Sequence, residues 1–490
     1  MSHNQRILRL TGLFIFLAWF QLATVQTAKS EQSAPADTTN AGPASAGTPQ
    51  ADSPKGLWER SNLLGDIGGL RTLVGDHGIT FSLMETSEVF GNLSGGVHHG
   101  FAYDGLTTMT LGLDTEKAFN WSGGILNVSG LQIHGRNLSA DNLDNLQTVS
   151  GIEADRSTRL WELWFQQTLP GGKADLKIGQ QSVDQEFMVS QYSSLYVNTV
   201  MGWPMIPSAD LYAGGPAYPL SSLGIRLQGQ PTGSLKLLGG VFDDNPPGGS
   251  FNDDSQLRGS EANGMRFNLS TGSLFIGELQ YMVNRPSNEK NGSNSGSSGL
   301  AGTYKLGAWY DTAKFGDQRF DTGGLSLANP ASSGNPRIYN GNFSIYGVVD
   351  QMVWRQSDGP RSVGVFARVM GAPADRNLID WSLNAGLNVK ALLPGRDDDT
   401  FGVGYGWAHI SKRAGEFDRD TGIFAGTAYR VRGAEQFVEV TYQYQVTPWW
   451  IVQPDIQYII DPGGGLSNPF NQTERIDNEL VVGLRTTITF

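Results

Sequence analysis

Along residues 438–446, Val438, Val440, Tyr442, Tyr444 and Val446 alternate with Glu439, Thr441, Gln443 and Gln445. A period of two puts the first set on one face of a strand and the second on the other. Thr447 and Pro448 turn the chain, and Trp450, Val452, Pro454, Ile456 and Tyr458 continue the apolar face opposite Gln453, Asp455 and Gln457. The last stretch repeats the pattern, with Leu480, Val482, Leu484, Ile488 and Phe490 on one side. Such bursts recur from about residue 78 to residue 490, separated by Gly, Asn, Asp and Pro turns. No long amphipathic helix is expected after a short helical segment at 56–77. At roughly ten residues per tilted strand, this length suits about 16 to 18 strands. A sandwich of this size would have to protect its edges and would usually divide into domains, whereas closure removes the edges. The expectation is an all-β chain, a transmembrane antiparallel barrel of about 16 strands over 78–490.

The start of the chain follows another pattern. Arg6 and Arg9 precede an apolar run from Leu10 to Phe20, with small residues at Ala23 and Ala28. This is the layout of a cleaved export signal, expected over 1–28, and the run is short for a membrane helix. Residues 29–55 are dominated by Ala, Ser, Thr, Pro, Gln and Asp without apolar periodicity, and read as a disordered linker. No later stretch holds about 18 consecutive apolar residues, yet strands with one polar face escape any hydropathy window. With a formal charge of −12 the chain lacks the clustered basic surface that phosphate binding needs, so no nucleic-acid partner is expected. There is no cysteine, no G-x-S-x-G or H-E-x-x-H motif, and only six scattered histidines, so no metal or other cofactor is expected. His98–His99 beside Gly95–Gly96 reads as a turn, and 402–406, Gly-Val-Gly-Tyr-Gly, as a strand with small inward residues.

Connections are unequal. Residues 243–260, 284–302 and 323–341 are rich in Gly, Asn and Ser and read as long external loops, while 447–449 reads as a short periplasmic turn. Charges inside strands belong to the lumen, because facing lipid costs them roughly 2 to 4 kcal/mol at midplane. Lys177 lies between Leu176 and Ile178, Arg226 between Ile225 and Leu227, and Arg368 between Ala367 and Val369. Glu162, Glu439 and Asp455 supply counter-charges in an eyelet of both signs.

Several blocks resemble the OprB family of carbohydrate-selective porins, and together they cover nearly all the chain after the linker. Residues 57–71, LWERSNLLGDIGGLR, resemble the family's segment before the first strand. Residues 442–450 (YQYQVTPWW), then 453–458 (QPDIQY) and 461–464 (DPGG), resemble its penultimate hairpin. Gly202-Trp203-Pro204 and the stretch from Tyr218-Pro219 to Leu227 add to the match. The terminal strand ending in Phe490 also resembles the assembly signal of outer-membrane barrels. These resemblances imply a sixteen-stranded barrel in the outer membrane of a Gram-negative bacterium. It would admit glucose and similar sugars by diffusion, without cofactor or energy input. They imply outer-membrane lipid and lipopolysaccharide as surroundings and the barrel assembly machinery as a partner reached through Phe490, and they leave open a homo-trimer.

A sugar pore needs hydrogen-bonding groups for hydroxyls and an aromatic face for the apolar side of the ring. In 160–169, Glu162, Trp164 and Gln166 alternate with Trp161, Leu163 and Phe165, which makes Trp164 the candidate stacking residue. The remaining candidate luminal contacts are Lys177, Arg226, Arg368, Glu439, Gln443, Gln453, Asp455 and Gln457. Two other readings are a secreted or surface β-rich carbohydrate-binding protein and an outer-membrane hydrolase with two carboxylates whose separation sequence does not give.

Overall fold

The computed structural model describes residues 56–249, 263–284, 299–426 and 429–490; the expected signal and linker lie outside them. The strands are β1 (Ile79–Ser94), β2 (Gly100–Asp114), β3 (Gly124–Gly135), β4 (Ser157–Thr168), β5 (Ala174–Gln181), β6 (Ser222–Gly229), β7 (Leu235–Asp243) and β8 (Ser273–Val283). They continue as β9 (Gly302–Asp321), β10 (Pro336–Arg355), β11 (Ser362–Gly371), β12 (Ile379–Lys390), β13 (Thr400–Ile410), β14 (Ala434–Thr447), β15 (Trp450–Ile460) and a last strand, Glu479–Thr489. Each pairs antiparallel with its sequence neighbours, and the last strand pairs with β1 to close a sixteen-stranded barrel. No helix among the described residues is long and apolar enough to cross a membrane; the crossing is made by strands.

The faces fall as the alternation requires. Val438, Val440 and Tyr444 of β14 and Ile456 and Tyr458 of β15 are exposed on the outside, while Glu439, Thr441, Asp455 and Gln457 are buried inside. The exposed apolar residues of the strands are therefore the lipid face, and the buried apolar core lies inside the barrel. It is formed where inward connections press against the wall, with Leu195, Val197, Met201 and Ile206 packed among Tyr346, Phe366, Ile410 and Ile459.

Three expectations change. Residues 250–262 and 285–298 of two expected external loops lie outside the described residues, but because strand direction alternates, the ends of β8 and β9 that 284–301 joins lie at the same end of the barrel as the 448–449 turn, opposite the 322–335 connection. The Gly, Asn and Ser content of 284–301 reports a polar connection but not which end it occupies. Secondly, a helix spans Lys412–Ala425. It has few apolar positions and is held by charge: Arg319 of β9 pairs with Asp420 at 2.7 Å and Glu416 at 2.5 Å, and Arg413 with Asp317 at 3.2 Å. Thirdly, a register shift between β3 and β4 falls at Trp161, which packs edge-on against Tyr218 with centroids 6.5 Å apart instead of sharing the lipid face of Leu163.

Candidate functional site

Residues 182–221, between β5 and β6, fold into the barrel and run along its interior wall. Polar side chains of successive strands receive them. Glu278 of β8 accepts from Met188 N at 2.8 Å, and Asp350 of β10 accepts from Ser190 Oγ and Gln191 N at 2.5 and 3.1 Å. Arg368 of β11 donates to the carbonyls of Met188, Val200, Met201 and Gly202. Glu439 of β14 accepts from Val197 N at 2.5 Å and Asn198 N at 3.3 Å, and Gln453 of β15 donates to Leu195 O at 2.7 Å. The 136–156 connection, between β3 and β4 at the same end of the barrel, joins the 182–221 segment. Gln457 donates to Val149 O at 2.7 Å, Glu435 accepts from Leu146 N and Gln147 N at 2.7 Å each, and Gly151 N reaches Val197 O at 2.8 Å.

These bonds sort the candidate residues. Arg368, Glu439, Gln453 and Gln457 do point inward, but they are buried and their polar groups bond to the two inward connections and to neighbouring wall side chains, so they anchor those connections. Asp455 is 2% exposed and accepts from Gln457 at 3.0 Å, within the same network. Gln443 sits inward near the turn end of β14, apart from the others, and is half-buried.

The other five come together on adjacent strands β4, β5 and β6, where Gln166 stands opposite Lys177 and Lys177 opposite Arg226. The Lys177 ammonium lies 4.4 Å from the centroid of the Trp164 ring and pairs with Glu186, brought by the inward segment. Arg226 pairs with Glu186 at 2.5 Å and with Asp175, and donates to Gln166 Oε1 at 3.0 Å. Glu162 accepts from Ser182 N at 3.1 Å where that segment departs from β5. Burial alone would raise the Glu186 carboxyl, but Lys177 and Arg226 outweigh it and hold it below the usual carboxylate range. The site is thus an indole beside two cations, each already matched by a carboxylate, with amide groups at its edge.

Sequence reading missed Glu186, Asp175 and a second inward group. Arg485 of the last strand pairs with Glu88 of β1, which faces Asp104 of β2, and Arg485 donates to Ser150 Oγ at 3.3 Å. Arg485 between Leu484 and Thr486, Lys236 between Leu235 and Leu237, and Lys305 between Tyr304 and Leu306 carry the signal that marked Lys177: a cation inside a strand. Glu186 carries no such signal, because it belongs to a connection with no strand period. No group of three or more His, Asp or Glu side chains suited to a metal ion occurs among the described residues.

The chain matches, over residues 98–490, the family described as carbohydrate-selective porin, OprB family. It is 25% identical over 460 residues to Porin B of Pseudomonas aeruginosa, across 90% of this chain and 93% of the relative. It is 23% identical over 462 residues to a putative porin, QuiX, of Acinetobacter baylyi, across 88% of this chain and 94% of that protein. The high-pH structure of Pseudomonas putida OprB superposes with a TM-score of 0.77 at 23% identity, covering 89% of this chain and 100% of the other, a likeness of fold. Barrel closure, inward connections and a family match over most of its length together establish that the chain belongs to the OprB family of carbohydrate-selective porins and is a porin of the outer membrane.

Proposed function

We propose that this porin passes small uncharged sugars, glucose among them, by passive diffusion, and that the Trp164, Gln166, Asp175, Lys177, Glu186 and Arg226 cluster recognises them on the way. The observation that carries this reading is the charge balance: Lys177 and Arg226 are both engaged by Glu186, and Arg226 also by Asp175. Such a set presents donors and acceptors to hydroxyl groups while leaving little net field to draw in an ion. The half-buried Trp164 indole supplies the flat apolar surface that the CH face of a pyranose fits. No cofactor and no catalytic step enters this scheme.

Liposome swelling with glucose, glucosamine and gluconate tests it, since the three are close in size and differ in charge. Glucose should enter fastest. Equal rates for all three would leave a general diffusion pore and reject recognition at this cluster.

A further inference from the structure

The wall opposite the polar cluster is floored with glycine. Gly364 of β11, Gly386 of β12 and Gly402 and Gly404 of β13 all turn their missing side chains inward, and Gly386 stands directly opposite Gly404. A Cβ at Gly404 would lie 2.7 Å from the Tyr196 ring and 2.8 Å from the end of Met201. At Gly402 it would lie 2.7 Å from Leu195, at Gly386 it would meet Phe366 and lie 2.7 Å from the Tyr196 hydroxyl, and at Gly364 it would overlap the Tyr192 ring. Tyr192, Leu195, Tyr196 and Met201 all belong to the inward 182–221 segment. Asn388, opposite both Gly364 and Gly402 in the register, fastens it by accepting from the Tyr196 hydroxyl at 2.9 Å and donating to Tyr192 O at 2.7 Å.

None of the four has a positive φ, so backbone freedom does not explain them; space does. Other inward glycines make room for a ring on a neighbouring strand, as Gly406 does for Phe437 and Gly483 for Phe90. The β11–β13 patch is different because its occupant is the constriction segment.

We infer that Gly364, Gly386, Gly402 and Gly404 determine the size limit of the pore: lacking side chains, they let the inward segment lie flat on this wall and so set the width left beside the cluster on β4–β6. This rests on the porin reading of the chain, but not on which solute the cluster prefers. A methyl group at Gly404 lifts Tyr196 and Met201 off the wall toward the lumen. Bulk added at this floor acts on permeation without touching the polar cluster.

The test is single-channel conductance, with liposome swelling in mono-, di- and trisaccharides, for Gly402→Ala and Gly404→Ala. The expected result is a fall in conductance of roughly twofold with a lower size cut-off, because flow scales with the narrowest cross-section. A rise in conductance with a higher size cut-off overturns the proposal, because the added methyl group would then have widened the passage. Gly347→Ala, at an outward position with its nearest neighbour 3.8 Å away, serves as the control and should match wild type. Adding Gly404→Ala to Tyr196→Ala, where the ring is gone, should have a much smaller effect than Gly404→Ala alone. This double variant also decides the matter if Gly404→Ala by itself assembles poorly. Wild-type conductance and cut-off in assembled Gly402→Ala and Gly404→Ala overturn the proposal, as does a Gly404→Ala effect undiminished by Tyr196→Ala. Wild-type protein that conducts ions without favouring sugars would instead overturn the sugar reading and leave this inference standing.

Discussion

Arg71 donates from Nη2 to the main-chain oxygen of Phe490 at 2.6 Å, so a residue ahead of the first strand holds the last residue of the chain. The same seam is closed by Leu63 N to Thr489 O and Phe490 N to Leu83 O, both 2.9 Å, and by Trp449 Nε1 to Leu57 O at 2.8 Å. The chain's end is therefore bound on one side by β1 and on the other by the segment that precedes it. Phe490→Asp should sharply lower outer-membrane yield, and Arg71→Ala should lower it less, with the double variant no worse than Phe490→Asp alone. Yield and heat-modifiable gel mobility measure this. Additive losses would show that Arg71 acts elsewhere.

Lipid-facing and lumen-facing neighbours should differ in tolerance of charge. Val440 faces outward between Val403 and Ile456, so Val440→Arg should destabilise by roughly 2 to 4 kcal/mol, as charge does near midplane. Gln443→Arg, on the inward face, should cost far less. Tyr442 is a poorer probe, because its hydroxyl donates at 2.6 Å to Asp399 in a connection at the barrel's end, so it sits away from midplane. Folding titrations in lipid that give equal losses for Val440→Arg and Gln443→Arg would refute the face assignment.

Removing one cation from the cluster should unmask its carboxylates. Arg226→Gln removes the ion pair made by Asp175 and leaves Glu186 with Lys177, so reversal potentials should shift toward cations at low salt and return toward wild type as salt rises. Trp164→Ala keeps the charges and removes the stacking face, so it should lessen the block of ion current by glucose with little change in ion preference. Both readings come from one bilayer experiment, and wild-type behaviour in both variants would place the constriction elsewhere.

Acid should change the pore late. The Glu186 carboxyl titrates below its ordinary value, so it stays ionised, and its ion pairs persist, until the pH falls beneath the usual carboxylate range near about 4. The stability these pairs add is complete above that ordinary value and is lost as pH falls through the depressed one. Burial pushes other carboxyls of the inward connections up, Glu153 to about 8, so the reading is the difference in ion preference between wild type and Glu186→Gln, to which those groups contribute alike. That difference should hold steady from about pH 7 to about pH 5 and close only in stronger acid. A difference that closes near about pH 6 would contradict the assignment to a carboxyl held low.

By itself the sequence determined the barrel and its two faces. A period of two is local, so Val438, Val440, Ile456 and Tyr458 declare the lipid side without reference to any distant residue, and a charge flanked by apolar neighbours, as at Lys177 or Arg226, declares the lumen. It did not determine what an inward charge is for. Arg226 and Arg368 look alike in sequence, yet one meets Glu186 and Asp175 in the polar cluster and the other clasps the carbonyls of Val200 and Met201. That difference depends on where residues 182–221 lie, and a connection without strand periodicity carries no local mark of the wall it will cover. The ion pairs that fasten Lys412–Ala425 to β9 and the glycine floor beneath Tyr196 belong to the same class. Each is a contact between segments far apart in the chain, settled only when the sixteen strands close and bring them together.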